Sequence, residues 1–157
     1  MRNWIWLGLG LLACNGKDDE ETTYTIEDQP LSGKINGVDW TFESGITDDF
    51  LSDEEEFFVA LFGEVVDDAC NFGFSDGSEI LVGVPTEVGE YNVSLSQSGT
   101  FVYDDGDTPM NLVATDGLIR VDEITDTELT GGLALEVDED NTVNGTFTVT
   151  ICPTEDF

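Results

Sequence analysis

Carboxylates are the only chemistry-bearing groups this chain has in quantity: 35 Asp and Glu stand against four Lys and Arg, and histidine is absent. Without an imidazole, neither a Ser-His-Asp nor a Cys-His relay can form, and no zinc site can use a histidine ligand. A phosphate-cradling loop and a dinucleotide fingerprint are missing as well. Two acidic turns do have the ligand type that suits calcium, oxygen donors on adaptable loops. They are Asp104-Asp105-Gly106-Asp107 and Asp138-Glu139-Asp140-Asn141, and Asp104, Asp105 and Asp107 are the candidate metal ligands. Neither stretch keeps the EF-hand spacing, and each also reads as a hairpin turn that needs no ion. Calcium aside, no cofactor is expected. Two carboxylates set about 5–9.5 Å apart could hydrolyse a glycosidic bond. The sequence singles out no such pair, so no catalytic residue is assigned and the chain is not read as an enzyme.

The acidic turns need strands to hold them, and alternation supplies these. Leu31 to Ile35, Asn36-Gly37 and Val38 to Phe42 make a hairpin, because Asn-Gly adopts the positive φ angles of a type I′ turn. Val38, Trp40 and Phe42 alternate with Asp39 and Thr41, which predicts one buried and one wet face. Trp40 is therefore read as core before it is read as a sugar platform. Glu43 to Glu56 looks like a long acidic loop. Phe57 to Phe62 is apolar at every position, as expected of an interior strand covered on both faces. Asp67 to Gly77 is turn-rich and holds Cys70.

Further strands are predicted at Glu79–Val84, Glu90–Leu95, Thr100–Tyr103, Met110–Thr115 and Gly117–Ile124. Leu129, Gly131, Leu133, Leu135 and Val137 are then matched fourteen residues on by Val143, Gly145, Phe147, Val149 and Ile151. These look like adjacent hairpin arms, and the shared glycine position suggests a bulge or tight bend in each. Short strands punctuated by turns imply an all-β domain over residues 31–157, a sandwich or barrel of about 8–10 strands. A wide cavity lined by Phe57, Phe62 and Phe101 would make it a carrier of a small apolar ligand.

Ahead of this domain, Met1 and Arg2 precede an apolar run, Trp4 to Leu12. As a helix that run reaches roughly 14 Å, under half of a bilayer core of about 30 Å. It has the length of a signal-peptide core. Leu11-Leu12-Ala13-Cys14 overlaps the end of the run and resembles the lipobox of bacterial lipoproteins, in which cleavage precedes a cysteine that then carries diacylglycerol and a further acyl chain. The resemblance implies a signal peptide at residues 1–13, lipidation of Cys14, and a flexible acidic tether to residue 30. It also implies a membrane held through palmitate-type chains, since two or three of them anchor stably where one does not. Lys17-Asp18-Asp19-Glu20 is similar to the surface-export signal of some Gram-negative lipoproteins, and Asn15 is similar to the second residue of those sent on to the outer membrane. With Cys14 lipidated, Cys70 and Cys152 remain as the disulfide pair of an exported domain.

Loss of Arg2 would leave three basic residues against 35 acidic ones, a formal −32. Nucleic acid and anionic lipid surfaces bind through clustered Lys and Arg and are expected to be repelled. High net charge can mean disorder, but 39% hydrophobic residues, with ten Phe, provide for a core. Gly33-Lys-Ile-Asn-Gly-Val-Asp-Trp40, Gly89-Glu-Tyr91 and Val143-Asn-Gly-Thr-Phe147 look like a family of small β-domain bacterial lipoproteins of uncharacterised function. That resemblance implies an antiparallel β-sandwich or calycin-like barrel and no catalytic residue. The expected protein is a monomeric, lipid-anchored envelope module, with an apolar-ligand or calcium binder as the alternative and a carboxylate hydrolase after that.

Overall fold

Eleven strands, most of them with apolar residues recurring at every second position, form among the described residues, which in this computed structural model are 23–48, 50–72, 77–106 and 108–153. The expected signal peptide, Cys14 and Lys17 to Glu20 lie outside them. The strands are β1 (Ser32–Ile35), β2 (Val38–Thr41), β3 (Ser44–Asp48), β4 (Glu56–Phe62), β5 (Glu79–Pro85) and β6 (Gly89–Asn92). They continue with β7 (Gly99–Asp105), β8 (Thr108–Ala114), β9 (Gly117–Ile124), β10 (Glu128–Asp138) and β11 (Asn141–Ile151); one helical turn, α1, spans Ala69–Phe72. All strands belong to one sheet, ordered β6-β9-β10-β11-β3-β4-β5-β7-β8, with the β1–β2 hairpin attached to β11. The sheet curls into a half-barrel, so the all-β expectation holds while the two packed sheets of a sandwich do not form.

The antiparallel expectation needs one correction. β11 runs parallel to β3, with Thr150 opposite Ile46 and Ile151 opposite Thr47. The parallel pair exists because Ser44 to Asp48, expected within the acidic loop Glu43–Glu56, is a strand that fills the gap between β11 and β4. Ser-Gly-Ile-Thr-Asp carries one large apolar side chain and no alternation, yet Gly45, Ile46 and Thr47 are all buried. A side chain on Gly45 would sit 2.6 Å from Val149 Cγ1 and 2.7 Å from the Ala60 carbonyl, so close packing of β11 on β4 requires glycine there.

The concave face carries the main core. Val59 and Leu61 from β4, Ile80 and Val82 from β5, Phe101 from β7 and Leu133 from β10 point into it and are nearly or wholly inaccessible. The intervening residues of β4, Ala60 and Phe62, face the other way and pack with Ile46, Ala69 and Cys152. The interior strand is thus covered on both faces, as its unbroken apolar run predicts.

The first hairpin turns at Asn36 and Gly37 with φ of 52° and 73°, the signs a type I′ turn requires. Val38 departs from its expectation: it is 68% exposed, because β2 pairs only with β1 and its start projects past the sheet. Trp40 is buried, and Phe42 packs edge-on against Phe147 with centroids 6.4 Å apart.

The end of the expected tether is a docked strap. Asn144 accepts from Glu27 N at 2.8 Å through Oδ1 and donates to the Thr25 carbonyl at 2.9 Å through Nδ2. Thr146 N donates to the Gln29 carbonyl at 2.8 Å, and Leu31 N to the Thr146 carbonyl at 2.9 Å. The long pair β10–β11 keeps its hairpin register, with Leu129 opposite Val149 and Leu133 opposite Gly145. Gly131 does mark a bulge, against β9. Gly145 instead takes φ 142°, and a side chain there would meet the Gln29 carbonyl at 2.6 Å, so this glycine lets the strap close on β11.

Candidate functional site

The calcium candidates fall at a simple hairpin end. Asp104 lies opposite Pro109 and Asp105 opposite Thr108, both acids are exposed, and Gly106 turns the chain with φ 73°. Asp107 lies outside the described residues. In the second acidic turn, Asp138 Oδ1 accepts from Asp140 N at 3.0 Å and from Asn141 Nδ2 at 2.9 Å. Asn141 Oδ1 accepts from Asn36 N at 2.8 Å, and Gly37 N donates to the Asp140 carbonyl at 2.9 Å. These side chains close the turn and seat the first hairpin on it. Among the described residues no group of three or more Asp, Glu, Cys or His is placed to hold a metal.

The three phenylalanines considered for a carrier cavity do not share one. Phe101 is wholly buried in the concave core and Phe57 is packed at its margin, whereas Phe62 points to the outer cluster. Alternation along β4 forces that split, since residues 57 and 62 differ by an odd number of positions. Trp40 packs over Gly63 and donates Nε1–H to the Ser78 carbonyl at 3.0 Å, the arrangement of a core indole with its polar atom satisfied.

Cys70 and Cys152 meet where α1 covers the outer face. Their sulfurs are 1.99 Å apart and their Cα atoms 5.4 Å, which is disulfide distance. The backbone N–H of Cys152 donates to Thr47 Oγ1 at 3.1 Å, so β3 helps to place the C-terminal cysteine.

A shallow polar cleft lies at the start of β4 and was not legible in the sequence. It is an open depression of about 420 Å³ lined by Asp53, Glu55, Glu56, Pro85, Tyr91 and Gln97. Asp53 Oδ1 accepts from Glu55 N at 2.8 Å and Glu56 N at 2.9 Å, an Asx turn that brings the chain into β4. Glu56 lies across Gly83 on β5, in space that a side chain at Gly83 would fill. Burial pushes the Glu56 carboxyl above its ordinary value, the Gln97 amide at 3.2 Å pulls it back, and the Asp53 charge adds to the rise. Tyr91 is fixed by donating its hydroxyl to the Glu87 carbonyl at 2.9 Å.

This cleft can accept hydrogen bonds and positive charge. Asp53, the carboxylate that could partner Glu56, already holds two backbone N–H groups, so its position has a structural cause. The sequence hid the cleft because its members come from three connections that approach only when β4, β5 and β6 are folded. No family model, no curated protein and no solved structure matches this chain.

Proposed function

We propose that this chain is a lipid-anchored protein of the cell envelope whose β-domain works without catalysis, as an interaction or structural module. The observation that carries the proposal is Leu11-Leu12-Ala13-Cys14 directly behind a short apolar run and a single basic residue. Two features of the domain support it. Cysteines at disulfide distance suit an oxidising compartment outside the cytoplasm. The docked strap begins near Thr25, which leaves a polar stretch from Asn15 to carry the domain away from a bilayer surface. Asn15 favours the outer membrane, and Lys17-Asp18-Asp19-Glu20 favours export to the outside.

The test is labelling of producing cells with a tagged palmitate. Incorporation into the wild type and none into Cys14→Ser is the expected result, and an unmodified Cys14 in cells with active lipidation enzymes would overturn the proposal. Protease added to whole cells addresses the leaflet: surface display predicts that the domain is cleaved, and that replacing Lys17 to Glu20 with serines protects it.

A further inference from the structure

Four large apolar side chains stand exposed on loops that meet beside the Glu56 cleft. On the β3–β4 connection Phe50 is 93% exposed and Leu51 53%; Val88, before β6, is 66% exposed, and Leu95, between β6 and β7, is 88% exposed. A single exposed apolar residue needs no explanation. Here hydrogen bonds tie the three connections together. Thr86 N donates to the Glu55 carbonyl at 3.1 Å and Thr86 Oγ1 to the Glu54 carbonyl at 3.0 Å, while Gln97 reaches Glu56.

Beside Phe50, Leu51 N donates to Asp48 Oδ1 at 2.9 Å, Ser52 N to the Asp48 carbonyl at 3.0 Å, and Phe58 N to Ser52 Oγ at 2.9 Å. The same segments carry Asp48, Asp53, Glu54, Glu55 and Glu87, with no Lys or Arg within residues 48–56 or 85–98, whereas Glu90 on β6 lies opposite Arg120 and is not counted with them.

We infer that these three connections form one docking surface for a cationic amphipathic protein segment. Its apolar side chains meet Phe50, Leu51 and Leu95, and its Lys or Arg side chains meet the acidic rim. Exposed apolar side chains on loops that also carry acids supply the two components of an interface, and charge selects the occupant. An anionic lipid surface is repelled by this rim, and a second copy of the chain would bring the same acids against themselves. The inference rests on the reading of the β-domain as an interaction module and gives that module its partner class; it does not depend on the anchor.

The probe is a synthetic helix of Leu and Lys with Leu at positions i, i+3, i+4 and i+7; a control peptide has every Leu replaced by Ser at the same charge. Binding is measured on full-length protein in nanodiscs of a zwitterionic phospholipid, with empty discs subtracted. The expected result is that the Leu-Lys helix binds the wild type about tenfold or more tightly than it binds a Phe50→Ser/Leu51→Ser/Leu95→Ser variant. The control peptide should not distinguish the two.

Equal affinity of the Leu-Lys helix for both proteins would overturn the inference. So would quenching of a Phe50→Trp variant by brominated lipid, which would put the loop in a bilayer, or a wild-type dimer that Phe50→Ser dissolves. Exposed positions should leave the melting temperature unchanged, and a Leu95→Ser variant, expected to lose part of the affinity, serves if the triple variant does not fold. Mass spectrometry of Cys14 on the same preparations reads the anchor separately, and if that residue is unmodified the binding series is run on the chain in solution.

Discussion

The two faces of the curled sheet hold their side chains by different means. On the concave face, strands from every part of the sheet contribute to one continuous apolar cluster. On the convex face the burial is local, and each buried patch depends on a short piece of chain laid over it. The α1 segment and Cys152 cover Ile46, Ala60 and Phe62, and the strap from Thr25 to Leu31 covers Gly132 through Ile26. The concave core is therefore expected to set global stability. The convex patches should open one at a time, in the manner of local unfolding units.

The concave face offers the hardest break. Phe101→Ala removes a wholly buried ring from the centre of the cluster, and a large-to-small change of this kind costs about 3–5 kcal/mol. The expected outcome in a urea titration is a loss of that size read by every probe, with a single transition. Loss confined to one signal would mean that the two faces unfold independently even at the core.

Reduction of the cysteine pair tests the first convex patch. Changing Cys70 and Cys152 together to Ala removes a link that closes 83 residues of chain, counted from a separation of 82. That link stabilises by about 2–4 kcal/mol in typical cases. The double variant should lose protection around α1 and β3 first in hydrogen exchange, with concave-face amides following only at the global limit. Two free thiols titrating in the unreduced, denatured protein would show that the pair is not bonded.

What could be read from the residues alone follows the same division. The concave face was legible because Leu129 to Leu135 and Val143 to Ile151 place apolar residues at every second position, the pattern a sheet facing one core requires, and β4 was legible from its unbroken apolar run. The Asn36-Gly37 turn was legible for a local reason, its positive φ angles. β3 was not, since a short strand between two others can be buried with Gly45 and Thr47 in it and needs no alternation. The strap was not legible either: Tyr24 to Pro30 has a single aliphatic residue, Ile26, and no apolar period, and its backbone partners Asn144 and Thr146 lie far along the chain. The Glu56 cleft and the exposed Phe50, Leu51, Val88 and Leu95 are products of loop convergence, which no spacing along the chain encodes. The calcium reading of Asp104 and Asp105 finds a hairpin end in the fold.

The strap provides a smaller test of the convex face. A side chain at Gly132 would come within 2.6 Å of Ile26 Cγ2. Gly132→Ala should therefore push the strap outward at a cost of about 1–3 kcal/mol, the usual range for overpacking. The checkable signature is local. The amide of Leu31, bonded to the Thr146 carbonyl, and that of Thr146, bonded to the Gln29 carbonyl, should exchange faster, while the amides of β4 and β5 keep their wild-type rates. Uniform acceleration would make the strap part of the global core and erase the distinction between the faces.

The smallest effect concerns Glu56, on the convex side of β4. Its carboxyl is raised above the ordinary value near 4.5, first by burial, and then by the Asp53 charge against the pull of Gln97. A raised carboxyl binds its proton more tightly folded than unfolded, so its contribution is whole below about 4.5 and is lost as pH rises through the raised value. At neutral pH the charged form is the unfavourable one. Glu56→Gln keeps the length and still accepts from the Gln97 amide through its carbonyl oxygen. The expected gain in stability over wild type is under about 1 kcal/mol at pH 7, and it should vanish near pH 4. Urea midpoints of both proteins at the two pH values measure it, and taking the difference between them cancels the titration of the other acids. A variant less stable than wild type at pH 7 would show that the charged carboxylate has a favourable partner in the cleft, and would make Glu56 the first residue to examine for binding of a cationic group.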